Sequence, residues 1–130
     1  MAELPIARGV FLCETIIVEE QSRNVTLVNC FTRRLADSFP TTHRFAVFAV
    51  FANGQGTIPV TVVVTDLTDD RRVYEQTVSV PFANPLQETR FLFRTGLVTF
   101  PHAGVYEVAL ETADGSLATT RVTLLPRGTT

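Results

Sequence analysis

Hydrophobic and polar residues alternate along most of the chain, and β-branched or aromatic side chains occupy many of the hydrophobic positions. A period of two is typical of β-strands that bury one face and expose the other. No window keeps the hydrophobic spacing of a helix for more than one turn. The pattern therefore predicts an all-β chain, with strands near residues 10–19, 24–32, 42–53, 57–65, 73–81, 88–99, 105–112 and 117–125.

Turn residues separate the predicted strands at intervals of about a dozen residues, a spacing typical of a β-sandwich or a Greek-key barrel. Asn53-Gly54 and Asp114-Gly115 supply residues that tolerate positive φ, so each pair predicts a hairpin. The longest polar connection, residues 33–41, is predicted to cross between sheets. We predict one domain over residues 1–130, with flexible ends at 1–8 and 127–130.

One predicted strand breaks the alternation, because residues 45–52 are hydrophobic at every position. An antiparallel strand with one solvated face carries polar residues there, so something must cover the second side of this strand. One interpretation is a loop, such as residues 33–41, folded over the sheet. The other is a second copy or a protein partner docked on either face. The candidate interface then consists of Phe45, Val47, Phe48, Val50, Phe51 and Val63.

The charge balance excludes a general nucleic-acid binder, since 13 acidic side chains outnumber 11 basic ones and the net charge is −2. No stretch approaches the ~20 apolar residues that a membrane-spanning helix needs. Residues 1–10 lack the basic and continuously hydrophobic regions of a secretory signal. We therefore expect a cytoplasmic protein that binds neither nucleic acid nor membrane, and no sequence feature indicates a cofactor.

Two cysteines lie in the arms of the first predicted hairpin. If its loop centres on Gln21 and Ser22, the antiparallel register places Cys13 opposite Cys30. That geometry permits a disulfide, but reduced and buried thiols are favoured, because cytosolic disulfides are rare. Neither cysteine belongs to a C-x-x-C pair or neighbours a histidine, so the sequence gives no support for a catalytic or zinc-binding role.

The histidines and one aspartate cluster are the residues to consider for a metal site. His43 and His102 each follow a proline at a strand entry; if the two strands are antiparallel neighbours, the histidines lie at opposite ends. We interpret them as surface imidazoles. Asp66, Asp69 and Asp70 lack the D-x-D-x-D-G spacing of a calcium loop and are interpreted as solvated turn charges. The sequence therefore predicts no metal site and no catalytic residues.

Glu14 is the one carboxylate predicted on an otherwise apolar face, together with Leu12, Ile16 and Val18. A buried carboxylate must find hydrogen-bond donors or become protonated. Asn29 lies opposite Glu14 in the predicted register, so we expect a hydrogen-bonded structural pair. No base or nucleophile accompanies Glu14, and catalysis at this position is the weaker interpretation.

Residues 103–108 resemble the entry to strand F of immunoglobulin-like domains, where a small residue and a glycine precede a tyrosine. The resemblance implies that the Tyr106 hydroxyl bonds back to the backbone, with Gly104 two residues before it. Val108 stands where antibody domains place their second cysteine, and the chain has no tryptophan. The fold implied is an immunoglobulin-like antiparallel β-sandwich of about seven to eight strands.

Most of the chain also resembles a family of small bacterial proteins described only as a domain of unknown function. The resemblance rests on residues 11–14, residues 25–31, the Phe39-Pro40 step, residues 45–51 with Gly54, and residues 100–106. It implies a cytoplasmic β-sandwich of about this size. It implies no activity.

These observations favour a non-catalytic β-sandwich module that acts by protein–protein interaction or self-assembly. The alternative is a domain that binds a small ligand, either a carbohydrate or a lipid. Sugar sites usually need exposed Trp or Tyr, and this chain has only Tyr74 and Tyr106. No recognised catalytic signature is present, so we do not expect an enzyme.

Overall fold

The computed structural model describes residues 5–82 and 84–128 of the chain, and these residues form strands and connections without a helix. Within them, no segment forms a helix that is long and apolar enough to cross a membrane. The described strands are β1 (Ile6–Val18), β2 (Val25–Cys30), β3 (Arg33–Ala36), β4 (Thr41–His43), β5 (Ala46–Ala52), β6 (Gly56–Asp66), β7 (Arg71–Phe82), β8 (Thr89–Arg94), β9 (Val98–Phe100), β10 (Gly104–Thr112) and β11 (Gly115–Pro126).

Two sheets pack face to face. The front sheet has four strands in the order β2-β1-β5-β8, and the back sheet has five strands in the order β3-β11-β10-β6-β7. The strands β4 and β9 form a separate two-stranded ribbon. All described pairs are antiparallel except β3, which runs parallel to β11. The all-β sandwich predicted from the alternation is confirmed.

The core lies between the sheets, and aromatic rings fill much of it. Phe51 of the front sheet contacts Phe82 of the back sheet, with ring centroids 5.9 Å apart. Tyr106 is fully buried, and its ring meets that of Phe100 edge-on at 4.8 Å. Burial of each large apolar side chain contributes roughly 1.5–3 kcal/mol, so these rings hold the two sheets together.

Two predicted strands are each divided in the structure. The stretch 42–53 becomes β4 and β5, and the stretch 88–99 becomes β8 and β9. At the break, the Oγ1 atom of buried Thr95 accepts a hydrogen bond from the Phe45 amide and donates one to the Phe45 carbonyl. The Thr95 amide donates to the same carbonyl at 2.9 Å, so backbone and side chain together fix the point at which both strands leave the front sheet.

The connections also differ from the prediction. Asn53-Gly54 does not close a hairpin, because β5 lies in the front sheet and β6 in the back sheet. Gly54 lies against the Phe82 ring, which a Cβ atom would approach to 2.4 Å, so the chain passes close over the core there. The predicted turn at Asp114-Gly115 is confirmed, since β10 and β11 pair as a hairpin.

The polar connection 33–41 contains a strand that the sequence did not indicate. Its first part, β3, pairs with the end of β11 from Thr123 to Pro126. The edge of β11 offers unpaired backbone groups, and these can recruit a polar segment whose own pattern is weak. The Phe39-Pro40 peptide bond in this connection is cis.

The predicted flexible ends fall partly outside the described residues, at 1–4 and 129–130. Of the remainder, Ile6 and Ala7 pair with β5. At the other end, the Arg127 amide donates to the Ala36 carbonyl at 2.8 Å. Both described parts therefore make backbone contacts, and their flexibility stays a prediction.

Candidate functional site

The sequence-predicted interface is not exposed in this structure. Its members are buried or, for one of them, half-buried: Phe45, Val47, Phe48, Val50, Phe51 and Val63. Phe45, Val47 and Phe51 point between the sheets. The others lie on outer faces, where Phe48 is only 9% exposed and Val63 only 1%. Contact of these side chains with a partner stays a prediction, and it would require their present cover to move.

The outer side of β5 is covered by the chain itself. We define the hairpin flap as residues 15–28, the far half of the β1–β2 hairpin. Its apolar side chains form a second cluster with Phe48. The Arg94 guanidinium donates to the Ile16 carbonyl at 2.9 Å, and that of Arg90 donates to the Arg23 carbonyl. Both arginines belong to β8, beyond β5, so the flap extends across β5. The cover is this hairpin and not the loop 33–41.

Strand β1 changes partner at Cys13. It pairs with β5 from Ile6 to Cys13 and with β2 from Cys13 to Val18. Over Ile6–Phe11, which we call the open edge, the described strands provide a backbone partner on one side only. Ile6 is 56% exposed and Phe11 is 51% exposed. The open edge therefore combines unpaired backbone groups with two large apolar side chains in solvent.

A hollow of about 180 Å³ lies beside Phe11. Its walls include Val10, Leu12 and Phe31, and Phe31 is only half-buried. The Phe11 ring lies over Gly9, where an added Cβ atom would come within 3.2 Å of the ring. A protruding ring and an apolar hollow thus occur side by side on the same edge.

The cysteines and Glu14 lie next to the Phe11 end of the open edge, and Cys30 also lines the hollow. Cys13 pairs with Cys30 in the register that the sequence predicted, and both are free thiols. Cys13 is buried, and burial is the main cause that raises its pKa. Cys30 is exposed, contrary to the prediction, because it ends the edge strand β2. Asn29 Nδ2 donates to Glu14 Oε2 at 2.7 Å, which confirms the pair. Glu14 itself is exposed and not buried.

A second concavity lies on the back sheet, with a volume of about 470 Å³. Its polar lining comes from Thr57, Thr61, Glu75, Glu111, Thr112 and Asp114. Arg72 crosses one side, donating to Glu75 at 2.8 Å and to Glu111 at 3.4 Å. The groove offers hydroxyl and carboxylate groups to a ligand.

The two histidines have different surroundings. The strands that follow them, β5 and β10, lie in different sheets and are not neighbours, contrary to the assumption made from sequence. The Nδ1 atom of His43 lies 3.5 Å from an Arg34 nitrogen, and its Nε2 atom lies 3.3 Å from Thr41 Oγ1. Because guanidinium only donates, His43 Nδ1 accepts and Nε2 carries the proton. Burial is the main cause that lowers the pKa of His43, and the Arg34 charge adds to it.

His102 belongs to a cluster with Asp66 and Asp69, whose ligand-type atoms all lie within 4.8 Å of one another. Asp66 ends β6 and is 1% exposed. Its Oδ1 atom accepts a hydrogen bond from the Thr68 amide at 3.0 Å. Its Oδ2 atom lies 2.6 Å from His102 Nε2. That contact is not an aligned hydrogen bond, since Oδ2 is buried without a hydrogen-bond partner among the described residues.

Tyr106 fixes the His102 side of this cluster. Its hydroxyl donates to the His102 carbonyl at 2.7 Å and accepts a longer bond from the His102 amide at 3.3 Å. In the β6–β10 ladder, Tyr106 stands opposite Asp66. Burial is the main cause that raises the pKa of Tyr106. The Tyr106 side chain thus ties the His102 loop to β10, and the β6–β10 ladder places Asp66 beside it.

The His102 ring is oriented by its other nitrogen. Its Nδ1 atom lies 2.8 Å from the Ala103 carbonyl, which can only accept, so Nδ1 carries a proton. This hydrogen bond is the main cause that raises the pKa of His102; burial opposes it, and the nearby carboxylates of Asp66 and Asp69 add to the rise. Sequence reasoning interpreted His102 as a surface imidazole, and missed that its partner is a buried carboxylate.

Comparison with known proteins gives one family match. The model of a family described as "Family of unknown function (DUF6941)" matches residues 8–124. No curated protein matches the chain. Among solved structures, a β-glucosidase from Listeria innocua in complex with isofagomine is similar, with 10% sequence identity and a TM-score of 0.43. The match covers 90% of this chain and 16% of that enzyme.

Proposed function

We propose that this chain, which belongs to the family of unknown function DUF6941, is a non-catalytic β-sandwich module that binds a second copy of itself. The observation that carries the proposal is the 51% exposure of Phe11 beside an apolar hollow on the open edge. Isolated exposed apolar side chains are ordinary on a protein surface. A ring that protrudes next to a hollow and next to unpaired backbone is typical of a docking site.

The geometry favours a second copy as the occupant. In a two-fold dimer each subunit uses the same patch, so that patch must be complementary to itself. A rotation axis between Phe11 and the hollow would place the ring of each copy in the hollow of the other. The low net charge of −2 leaves little long-range repulsion between two copies.

The open edge also supports association through the backbone. Donor and acceptor groups of Ile6–Phe11 that face away from β5 can pair with a strand from the second copy. A break in the β1–β5 register between Ala7 and Val10 limits the length of such pairing. We therefore expect a modest, reversible dimer in which Phe11 supplies most of the contact energy.

Light scattering on a sizing column over a wide concentration range tests this proposal. We expect the wild-type mass to rise from monomer to dimer, and Phe11→Asp to stay monomeric with an unchanged β-sheet circular dichroism spectrum. Leu97→Asp is the matched control, because Leu97 is 60% exposed in the connection between β8 and β9. A wild type that is monomeric throughout, or a Phe11→Asp variant that still dimerises, contradicts the proposal.

The groove on the back sheet favours a second candidate function, the binding of a small ligand. Its volume of about 470 Å³ is within the range of small-molecule sites. Its hydroxyl and carboxylate groups suit a polyhydroxylated ligand such as a carbohydrate better than a lipid. A thermal-shift screen with glycans tests it: the wild type should be stabilised, and Glu111→Gln should lose the effect. Absence of any stabilisation by glycans argues against this function.

The proposal includes a cytoplasmic location and no enzymatic role. Free thiols at Cys13 and Cys30, which stand opposite each other, fit a reducing compartment. A broad panel of hydrolase substrates, assayed with the wild type and with Glu14→Gln, tests the second point. Turnover that is lost in the variant would contradict a non-catalytic module.

A further inference from the structure

We infer that Asp66, Asp69 and His102 form a binding site for a divalent transition-metal ion of the zinc or manganese type. The site is built where the end of β6 meets the loop between β9 and β10. It lies apart from the open edge, and its existence does not depend on the proposed function.

One carboxylate oxygen of Asp66 is buried inside the cluster. The carboxylate is 1% exposed, and its Oδ2 atom accepts no aligned hydrogen bond among the described residues. A buried carboxylate oxygen needs a donor or a cation, because its charge has left water, and the misaligned contact with His102 meets that need only in part. Oδ2 is aimed at His102 Nε2, only 2.6 Å away. A cation shared by these two atoms would supply the missing interaction.

The hydrogen bond of His102 Nδ1 orients the imidazole in the way that metal ligation needs. Because His102 Nδ1 donates to the Ala103 carbonyl, a neutral ring leaves Nε2 as a lone pair. That lone pair faces Oδ2, and two acceptors at this separation need a positive charge with them, which either a proton on Nε2 or a metal ion supplies. Metal-binding histidines usually donate their second nitrogen to a carbonyl or carboxylate, which fixes the ring for ligation. His102 already has this arrangement.

Asp66 and His102 are each oriented by a contact that leaves one ligating atom free. Asp66 uses Oδ1 to accept from the Thr68 amide and keeps Oδ2 for an ion. Tyr106 clamps the backbone of His102 from the core side. A site held in this way loses little side-chain entropy when an ion binds.

The ligand set selects the kind of ion. Two carboxylates balance a divalent charge, and one imidazole nitrogen favours transition metals over magnesium or calcium, which prefer oxygen. Asp69 is exposed and the His102 side chain is 43% exposed, so the site opens to solvent. An ion can enter directly, and water can complete its coordination shell.

Isothermal titration calorimetry on the metal-stripped full chain tests the inference. We expect one Zn²⁺ or Mn²⁺ ion per chain, and weaker binding of Mg²⁺ and Ca²⁺. The titration uses a Cys30→Ser background, because an exposed thiol could bind zinc on its own. His102→Gln should weaken binding by about tenfold or more, while His43→Gln, which alters the other histidine, should not change it.

Asp69→Asn provides a second test that does not disturb the buried part of the cluster. It removes a charged ligand from an exposed turn, so the fold should persist while affinity falls. The inference is overturned if the wild type binds neither Zn²⁺ nor Mn²⁺, which would leave a simple ion pair between His102 and Asp66. It is also overturned if binding survives His102→Gln unchanged.

Discussion

The Tyr106 hydroxyl bonds to both backbone polar groups of His102, its amide and its carbonyl. The side chain is fully buried. Tyr106→Phe keeps the ring but leaves the His102 groups without this partner, so we expect a loss of roughly 1–3 kcal/mol in the free energy of unfolding. Urea denaturation measures the loss.

Tyr74→Phe is the matched control for that measurement. The Tyr74 hydroxyl accepts a single, longer bond from the Gly96 amide at 3.4 Å, in an exposed setting. Its removal should therefore cost much less than that of the Tyr106 hydroxyl. Equal losses in the two variants would show that the hydrogen bonds between Tyr106 and the His102 backbone do not stabilise the fold in the way described.

Because the pKa of His43 is lowered in the folded chain, we expect part of the free energy of unfolding to be lost in acid. Its folded pKa lies below the ordinary value of 6.5, mainly because of burial and also because of Arg34. Below pH 6.5 the unfolded chain therefore binds more protons at this position than the folded chain, so stability falls as the pH falls. Above that pH both states are neutral and the component is constant.

The contribution of His43 must be separated from that of His102, whose pKa is raised. A raised histidine pKa stabilises the fold at low pH and loses this effect as the pH rises through the folded pKa, which is the opposite sign. Urea denaturation from pH 5 to pH 8 should show that His43→Gln loses less stability in acid than the wild type. Parallel pH profiles for the two proteins would contradict the assignment.

Residue pairs within one hairpin could be predicted from the sequence, because a short loop fixes their register. Cys13 opposite Cys30 and Glu14 opposite Asn29 are both of this kind. The pairing of His102 with Asp66 could not be predicted in the same way. It depends on β10 lying beside β6, and no local pattern determines which distant strands become neighbours.

At the scale of elements, the hairpin flap explains how a strand with no polar face is kept out of water. The register places Phe48 of β5 directly beside Phe11 of β1, on the same outer face. The flap covers Phe48, which is 9% exposed, and leaves Phe11 51% exposed. These neighbours therefore form an internal comparison between a covered and an uncovered ring.

Substitution of the two rings by alanine measures the contribution of the flap. Phe48→Ala opens a cavity under the flap and should lower the free energy of unfolding by about 3–5 kcal/mol. Phe11→Ala removes a half-exposed ring and should cost less than about 1 kcal/mol in the monomer. Urea denaturation at low protein concentration makes the comparison. Similar losses for the two variants would mean that the flap does not cover β5 in solution.

The strands themselves were largely predictable, since alternation reports burial on one face wherever it is regular. The points at which two of the predicted strands divide could not be predicted. The division of β4 from β5 depends on a hydrogen-bonding role of the Thr95 side chain, fifty residues away from Phe45 along the chain. The cover on β5 was predicted to exist, but the apolar pattern of residues 45–52 carries no information about which segment provides it.

In the molecule as a whole, both sheets have most of their apolar side chains buried, and Ile6, Phe11 and Ile17 of β1 are the most exposed large apolar residues within the described strands. The sandwich closes its core between the sheets and its outer front face under the flap. The open edge has neither kind of cover from the described strands, although Thr120 of β11 borders the hollow beside Phe11. Self-association there would bury the apolar side chains of Ile6 and Phe11, which the single chain leaves exposed.

Hydrogen–deuterium exchange of the wild type at low and at high protein concentration tests this account most directly, because it locates the contact as well as detecting it. We expect the amides of Ile6–Phe11 to exchange more slowly in the concentrated sample than in the dilute one. Those of Thr89–Arg94, the opposite edge of the front sheet, should be unchanged. Exchange that is independent of concentration, or protection that appears only away from β1, would contradict a dimer formed through the open edge.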